Sequence, residues 1–305
     1  MGIRVHVNDP LDEEAMELLR SKEELEVTSE HLEKEELLNI IPEVEVLVVR
    51  SATKVTADVI EAGKKLRIIA RAGVGLDNID VEKAKEKGIK VLNTPGASAV
   101  SVAELAIGMI FALSRHIVRG TIDLKNGEWT KKKLKGVEMT GKTLGIIGLG
   151  RIGREVAKRA IGLGMKVIAF DPYVKETDLD VELVNLDELY SRSDYITVHV
   201  PLTPETKHLI NREAFEKMKD GVFIVNCARG GIVDEEALLE ALKSGKVAGA
   251  GMDVFETEPP TTEVEKELLS LPNVVATPHI GASTKEAQKR VGKEIVQRIF
   301  EGLGI

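Results

Sequence analysis

Thr143-Leu144-Gly145-Ile146-Ile147 runs directly into Gly148-Leu149-Gly150-Arg151-Ile152-Gly153, and these residues decide the fold. The apolar run is rich in β-branched residues, as a buried strand requires, and the G-x-G-x-x-G that follows is the pattern of a phosphate-binding turn. The spacing predicts a helix over Arg151–Ala160 and a second strand over Lys166–Phe170 that ends in Asp171, 23 residues after Gly148. Gly148 permits the tight turn, Gly150 lets the backbone approach a pyrophosphate, and Gly153 lets the helix pack on the strand. The helix N-terminus then offers free N–H groups and a positive dipole end to the phosphates. An Asp at position 171 accepts both ribose hydroxyls and repels a 2′-phosphate, so the expected cofactor is NAD and not NADP.

Outward from this unit, short β-branched runs alternate with charged segments of helical period, which is the pattern of parallel sheets covered by helices. Toward the C-terminus further strands are expected at Tyr195–Val198, Gly221–Asn226, Gly249–Asp253 and Val274–Thr277. With the first two they make six, the number in a full dinucleotide-binding sheet. Toward the N-terminus the strands are expected at Ile3–Val7, Val46–Val49, Leu66–Ala70 and Ile89–Leu92. Helical segments over Glu13–Arg20, Lys34–Asn39, Ala57–Gly63 and Val81–Lys87 lie between them, enough for a smaller doubly wound domain. Asn93-Thr94-Pro95-Gly96 closes that series ahead of a long helix over Val100–Leu113. A last helix, from about Thr284 to Phe300, is expected to pack back on the first domain, with a ligand cleft at the crossovers.

Length and composition agree. At 305 residues the chain has room for about two domains with cores that need no disulfide or metal. Its 42 Lys and Arg against 50 Asp and Glu give a net charge of −8, which argues against nucleic acid or an anionic membrane as partner. An anionic substrate must therefore be met by local positive charge. The single cysteine, Cys227, excludes an intrachain disulfide framework and a cysteine zinc site. Met-Gly-Ile-Arg-Val-His-Val is not a signal peptide, and Glu104 interrupts the most apolar stretch before it reaches spanning length, so a cytoplasmic protein is expected. Two Gln and one Cys beside abundant Lys and Glu hint at a heat-adapted source.

Three further strand ends carry the chemistry: Asn226-Cys227-Ala228-Arg229-Gly230-Gly231, Asp253-Val254-Phe255-Glu256-Thr257-Glu258-Pro259 and Thr277-Pro278-His279-Ile280-Gly281. Loops after strand C-termini form the ligand crevice of an open α/β sheet, so Arg229, Glu258 and His279 are expected on one wall beside the nicotinamide. A cation, a carboxylate and an imidazole there suit a small 2-hydroxy acid as substrate. Arg229 would hold the carboxylate through a two-pronged hydrogen bond, His279 would accept the hydroxyl proton, and Glu258 would fix its tautomer and raise its pKa. His279 has no second His or Cys at ligand spacing, so no metal is expected.

These segments in this order, together with Arg71-Ala72-Gly73-Val74-Gly75-Leu76-Asp77-Asn78, resemble the D-isomer-specific 2-hydroxyacid dehydrogenase family over nearly the whole chain. The resemblance implies an NAD-binding Rossmann domain (98–281) inserted in a flavodoxin-like substrate domain (1–97 plus 282–305), and a homodimer built through the nucleotide domains. It also implies that Arg151, Ile152, Asp171, Cys227, Ala228, Arg229, Asp253, His279, Ile280, Gly281 and Ala282 line the NAD site along with the glycine loop. The backbone at Val74 and Gly75 would meet the substrate carboxylate. Val49–Thr53, Arg71–Asp80 and Gly127–Gly136 most resemble the branch that oxidises D-3-phosphoglycerate to 3-phosphohydroxypyruvate, the first step of serine biosynthesis. In that reading Arg50 contacts the phosphate, and Lys131-Lys132-Lys133 either adds to it or is a solvated basic loop. Many members of that branch carry a C-terminal serine-sensing domain. The sequence stops at Ile305, so inhibition by serine through such a domain is not expected. Two alternatives stand: a dehydrogenase or reductase for glycerate, glyoxylate/hydroxypyruvate or lactate, and an NAD-sensing corepressor that keeps the same Arg/Glu/His set.

Overall fold

A computed structural model describes residues 2–305, and the chain divides into two compact units, Met1–Ser98 with Ala282–Ile305, and Ala99–Gly281. The first contains β1 (Ile3–Val7), β2 (Leu25–Ser29), β3 (Val46–Val49), β4 (Ile68–Arg71) and β5 (Lys90–Leu92) in an all-parallel sheet of order β2-β1-β3-β4-β5. This is the flavodoxin-like order. Alternate residues face opposite layers: Val5, Val7, Val46, Val48, Ile68 and Ala70 pack with Leu19 and with Ile295, Val296 and Ile299 of the last helix. Leu47, Val49 and Ile69 pack with Leu37, Val59 and Ile60 on the other face. The last helix (Lys285–Leu303) thus completes the core of the first unit.

The second unit contains β6 (Thr143–Ile147), β7 (Lys166–Phe170), β8 (Glu182–Leu183), β9 (Tyr195–Val198), β10 (Val222–Asn226), β11 (Val247–Met252) and β12 (Val274–Ala276). Their order is β12-β11-β10-β9-β6-β7-β8, with every pairing parallel. Counted within the unit this is 7-6-5-4-1-2-3, the Rossmann order with one added edge strand. Leu144 and Ile146 face the helices Ala99–Ser114 and Arg151–Gly162, while Ile147, Ile196 and Ile224 face Leu189, Leu238 and Leu242. Fully burying side chains of this size contributes ~1.5–3 kcal/mol each before chain entropy is counted.

The structure corrects the sequence expectation in four places. The second sheet has seven strands, because the two-residue β8 pairs at the edge beside β7. The first has five, because β2 adds an edge strand whose residues 26–29 are mostly exposed and polar and give little apolar signal. β4 begins at Ile68, since Leu66 is buried from the turn that ends the preceding helix. β11 begins at Val247 and ends at Met252, which frees Asp253 for the loop. Among the described residues no single helix is long and apolar enough to cross a membrane.

Candidate active site

β6 turns into its helix through Gly148, whose φ of +95° is a left-handed value that an L side chain rarely adopts. A Cβ there would lie 2.6 Å from the His199 carbonyl, and one on Gly153 would lie 2.0 Å from the Gly148 carbonyl, so the first and third glycines are steric necessities. A Cβ on Gly150 would meet nothing within 4 Å, which leaves an open cradle at a helix N-terminus that no side chain caps. Arg151 is exposed and Ile152 half-buried on the first turn.

Asp171 accepts the Leu149 N–H at 2.9 Å on Oδ2 and the Tyr173 N–H at 2.9 Å on Oδ1, which fixes it beside the glycine loop with lone pairs left on both oxygens. A residue that sequence reasoning missed stands at the sheet's switch point. His199 follows β9 and bonds Thr197 Oγ1 through Nε2 at 2.9 Å, while its buried Nδ1 has no partner. Burial pushes this imidazole down to about 3, so it is neutral. An open cradle, a ribose-competent carboxylate and an orphaned polar nitrogen, all at the carboxyl end of one sheet, fit a bound dinucleotide.

The three chemical residues leave the carboxyl ends of β10, β11 and β12. Asn226, 2% exposed, accepts the Ala228 N–H at 3.0 Å and donates to the Arg229 carbonyl at 2.9 Å, so its side chain curls the loop that presents Arg229. A Cβ on Gly230 would lie 1.8 Å from the Phe255 carbonyl, so this loop runs against the one that carries Glu258. Arg229 Nη1 donates to Ala228 O at 2.7 Å. Cys227 is buried with its sulfur 3.7 Å from Met109 Sδ, and burial pushes its thiol up, so it is a neutral packing group; Ala228 is buried beside it.

Asp253 is expected beside the cofactor. It is buried, and its carboxylate accepts the Thr277 hydroxyl at 2.6 Å and the Ile280 and Gly281 N–H groups at 2.8 Å each. His279 itself donates its N–H to the Asp253 carbonyl at 2.8 Å and has φ +52°. A side chain held in that sparsely populated region persists only where its surroundings over-determine it, and Asp253 supplies that constraint from both sides of the residue.

His279 Nδ1 lies 2.8 Å from Glu258 Oε2. The bond assigns the proton to Nδ1 in the neutral ring and leaves the Nε2 lone pair for a substrate proton. The Glu258 hydrogen bond raises the imidazole pKa above its ordinary value, against a lowering by burial and by Arg229. Burial pushes the Glu258 carboxyl up, but the His279 bond and the charges of His279 and Arg229 outweigh it and hold it below the usual range. Both side chains stay open to solvent, at 47% and 39%.

Among the other expected contacts, Arg50 follows β3 in the first unit. The buried Asp9 accepts the Arg50 N–H at 2.6 Å and the Thr53 N–H at 3.1 Å, and Asn78 donates to both their carbonyls. Nearby, Asn93 Nδ2 holds the Val74 carbonyl at 2.7 Å and the Thr94 N–H holds the Gly73 carbonyl at 2.8 Å, which ties down the strip that contains Gly75. Lys131–Lys133 form one exposed 3₁₀ turn in the second unit. Ala282 opens the C-terminal segment of the first unit.

A dinucleotide cradle in a Rossmann sheet, with a cation, a carboxylate and an imidazole at three successive strand ends, defines a nicotinamide-dependent oxidoreductase of small acids. Comparison with known proteins agrees. Residues 107–281 match the model of the NAD-binding domain of D-isomer-specific 2-hydroxyacid dehydrogenases, and the chain belongs to that family. It is 71% identical to a hydroxypyruvate reductase of Thermotoga maritima over 99% of both chains. A D-3-phosphoglycerate dehydrogenase of Methanocaldococcus jannaschii is 55% identical over 97% of this chain, which spans 57% of that protein's length. Among solved structures, a D-lactate dehydrogenase from Aquifex aeolicus complexed with NAD and lactic acid superposes with a TM-score of 0.87 at 33% identity, covering 99% of this chain and 95% of that one. The protein is an NAD-dependent 2-hydroxyacid dehydrogenase.

The ribose role of Asp171 is directly testable. Asp171→Ala should weaken NADH binding about tenfold, the loss expected for charge-assisted hydrogen bonds, and narrow the preference over NADPH. Fluorescence titration with both cofactors measures this, and an unchanged ratio of the two would refute the role.

Proposed function

We propose that the enzyme interconverts hydroxypyruvate and D-glycerate, or the 3-phosphorylated form of that pair. The unphosphorylated pair rests on the 71% identity to a hydroxypyruvate reductase along the full length of both chains. The phosphorylated pair has one specific observation in its favour: an acidic chain presents Arg50 on a loop fixed by the buried Asp9.

A dinucleotide held at the glycine loop and Asp171 would supply the hydride for reduction at C2 of the substrate and take it up in oxidation. In the oxidation direction Arg229 holds the substrate carboxylate by its guanidinium fork, which leaves the C2 hydroxyl facing His279. His279 Nε2 removes the hydroxyl proton as the carbonyl forms, and Glu258 accepts the hydrogen bond from Nδ1–H and balances the imidazolium. Reduction runs the same proton back from Nε2 to the developing alkoxide. The N–H groups of Val74 and Gly75 and the Arg50 side chain are the proposed further substrate contacts.

The deciding experiment is NADH consumption with hydroxypyruvate, 3-phosphohydroxypyruvate, glyoxylate and pyruvate, and NADH production with the matching acids. Clear preference for hydroxypyruvate upholds the first reading, and preference for the phosphorylated acid upholds the second. In the second case Arg50→Ala should raise KM for the phosphorylated acid by about 10–100-fold and leave KM for hydroxypyruvate alone. Equal KM changes for both acids would remove Arg50 as a phosphate contact. Tight NADH binding with no turnover on any acid would support the corepressor reading.

A homodimer is part of the same proposal. The second unit exposes Ile117, Ile122, Leu124 and Trp129 at 53%, 49%, 61% and 81%, which is more apolar surface than a solvated face requires. Light scattering should give twice the chain mass of 33.3 kDa, and a monomer mass would refute it.

A further inference from the structure

The loop that carries Glu258 is held by carboxylates to an unusual degree. Its three successive N–H groups at Phe255, Glu256 and Thr257 each donate to a different carboxylate: Glu258 Oε1 at 3.3 Å, Glu235 Oε1 at 2.8 Å and Glu265 Oε1 at 2.8 Å. Glu265 is fully buried, and its Oε2 also accepts the N–H groups of Thr261 and Thr262 at 2.7 and 2.8 Å. The Thr262 bond is an ordinary capping box at the start of the helix Glu263–Ser270. The other two are more than a cap requires, since Oε1 reaches eight residues back to the N–H of Thr257, the residue immediately before Glu258. Glu265 thus grips the chain on both sides of Glu258-Pro259-Pro260.

We propose that Glu265 is a positioning residue for the reaction, holding Glu258 opposite His279 Nδ1 through the Thr257 and Thr261 amides. This rests on the reading of Glu258 and His279 as the acid–base pair. A buried carboxylate is costly unless fully hydrogen-bonded. Here burial works against the charge, and the backbone bonds of Thr262, Thr257 and Thr261 win, holding the carboxyl below its usual range. Glu235 lies beside it with a single N–H donor, and burial pushes that carboxyl up to about 7. Of the two clamps, Glu265 is therefore the more firmly ionised. Glutamine at 265 would turn an NH₂ toward one set of backbone N–H donors and release one side of the loop.

The test is steady-state reduction of hydroxypyruvate by NADH in the full chain as a function of pH, with Glu265→Gln, Glu258→Gln and Thr262→Ala in parallel. His279 is faced by Glu258, Asp253 and Arg229, and it must be protonated for reduction, so the rate falls as pH rises through its pKa. Freed from a close Glu258, the imidazole returns toward its ordinary value, and that fall moves to lower pH. Glu265→Gln should lower kcat about tenfold, shift the limb down by about half a pH unit or more, and leave the NADH Kd within about twofold. Thr262→Ala weakens the same helix cap without touching the Thr257 clamp, and should leave the limb in place. If Glu258→Gln shifts the limb and Glu265→Gln does not, the positioning role is overturned while the acid–base pair stands. If neither shifts it, the pair itself fails. Should Glu265→Gln not fold, amide hydrogen exchange of the native enzyme decides instead: slow exchange at Thr257 and Thr261 upholds the clamp, and free-loop rates there overturn it.

Discussion

Asparagine at position 279 should lower turnover by about 100-fold or more while NADH binds nearly as before. The substitution suits the site: the backbone there has φ +52°, and Asn is among the side chains that best tolerate that region, so the loop survives. What is lost is the proposed proton acceptor at Nε2. The pH profile gives a second reading of the same residue. Because the Glu258 hydrogen bond raises the imidazole pKa, oxidation should rise with pH through a value above the ordinary 6.5, and reduction should fall across the same value. Both limbs should vanish in His279→Asn. Turnover within a few-fold of the native enzyme would remove His279 as the acid–base group.

Arg229→Ala is expected to be as damaging for a different reason. In the proposed mechanism the guanidinium fork holds the substrate carboxylate, so affinity and turnover should fall together, with kcat/KM down by about 10²–10³. The backbone should keep its shape, since Asn226 bonds the residue-229 carbonyl and the Ala228 N–H, neither of which the substitution touches. Arg229→Lys keeps the charge but not the fork and should recover only part of the loss. Keto-acid kinetics with an NADH titration measure both variants. Unaltered kinetics would place the carboxylate elsewhere.

The elements legible in the sequence were those whose burial leaves a mark on composition. β6, β7 and β9 are apolar on both faces because helices cover both faces of a parallel sheet, and their bounds could be read to the residue. The edge strands β2 and β8 escaped, since a strand with one neighbour and an exposed face carries charge as readily as apolar residues. β11 was displaced because Val247-Ala248-Gly249-Ala250-Gly251-Met252 gives a weak strand signal. A side chain at Gly249 would crowd the Asn273 carbonyl and Leu113, and one at Gly251 would crowd Met109. Leu113 and Met109 both stand on the helix Ala99–Ser114.

The site divides along the same line. The sequence by itself determined the candidate site: the glycine pattern with Asp171 23 residues on, and Arg229, Glu258 and His279 each just beyond a strand, where an α/β sheet presents its ligands. Only the tertiary structure decided how those groups are held. His199 beneath the glycine turn has no motif of its own, and no motif told that Asp253 grips both sides of His279 or that Glu235 and Glu265 grip the Glu258 loop. The three carboxylates bond backbone N–H groups that come within reach only when separate loops fold together. Sequence spacing carries information about periodic elements and local turns, whereas a carboxylate's choice of backbone donor depends on the approach of distant segments.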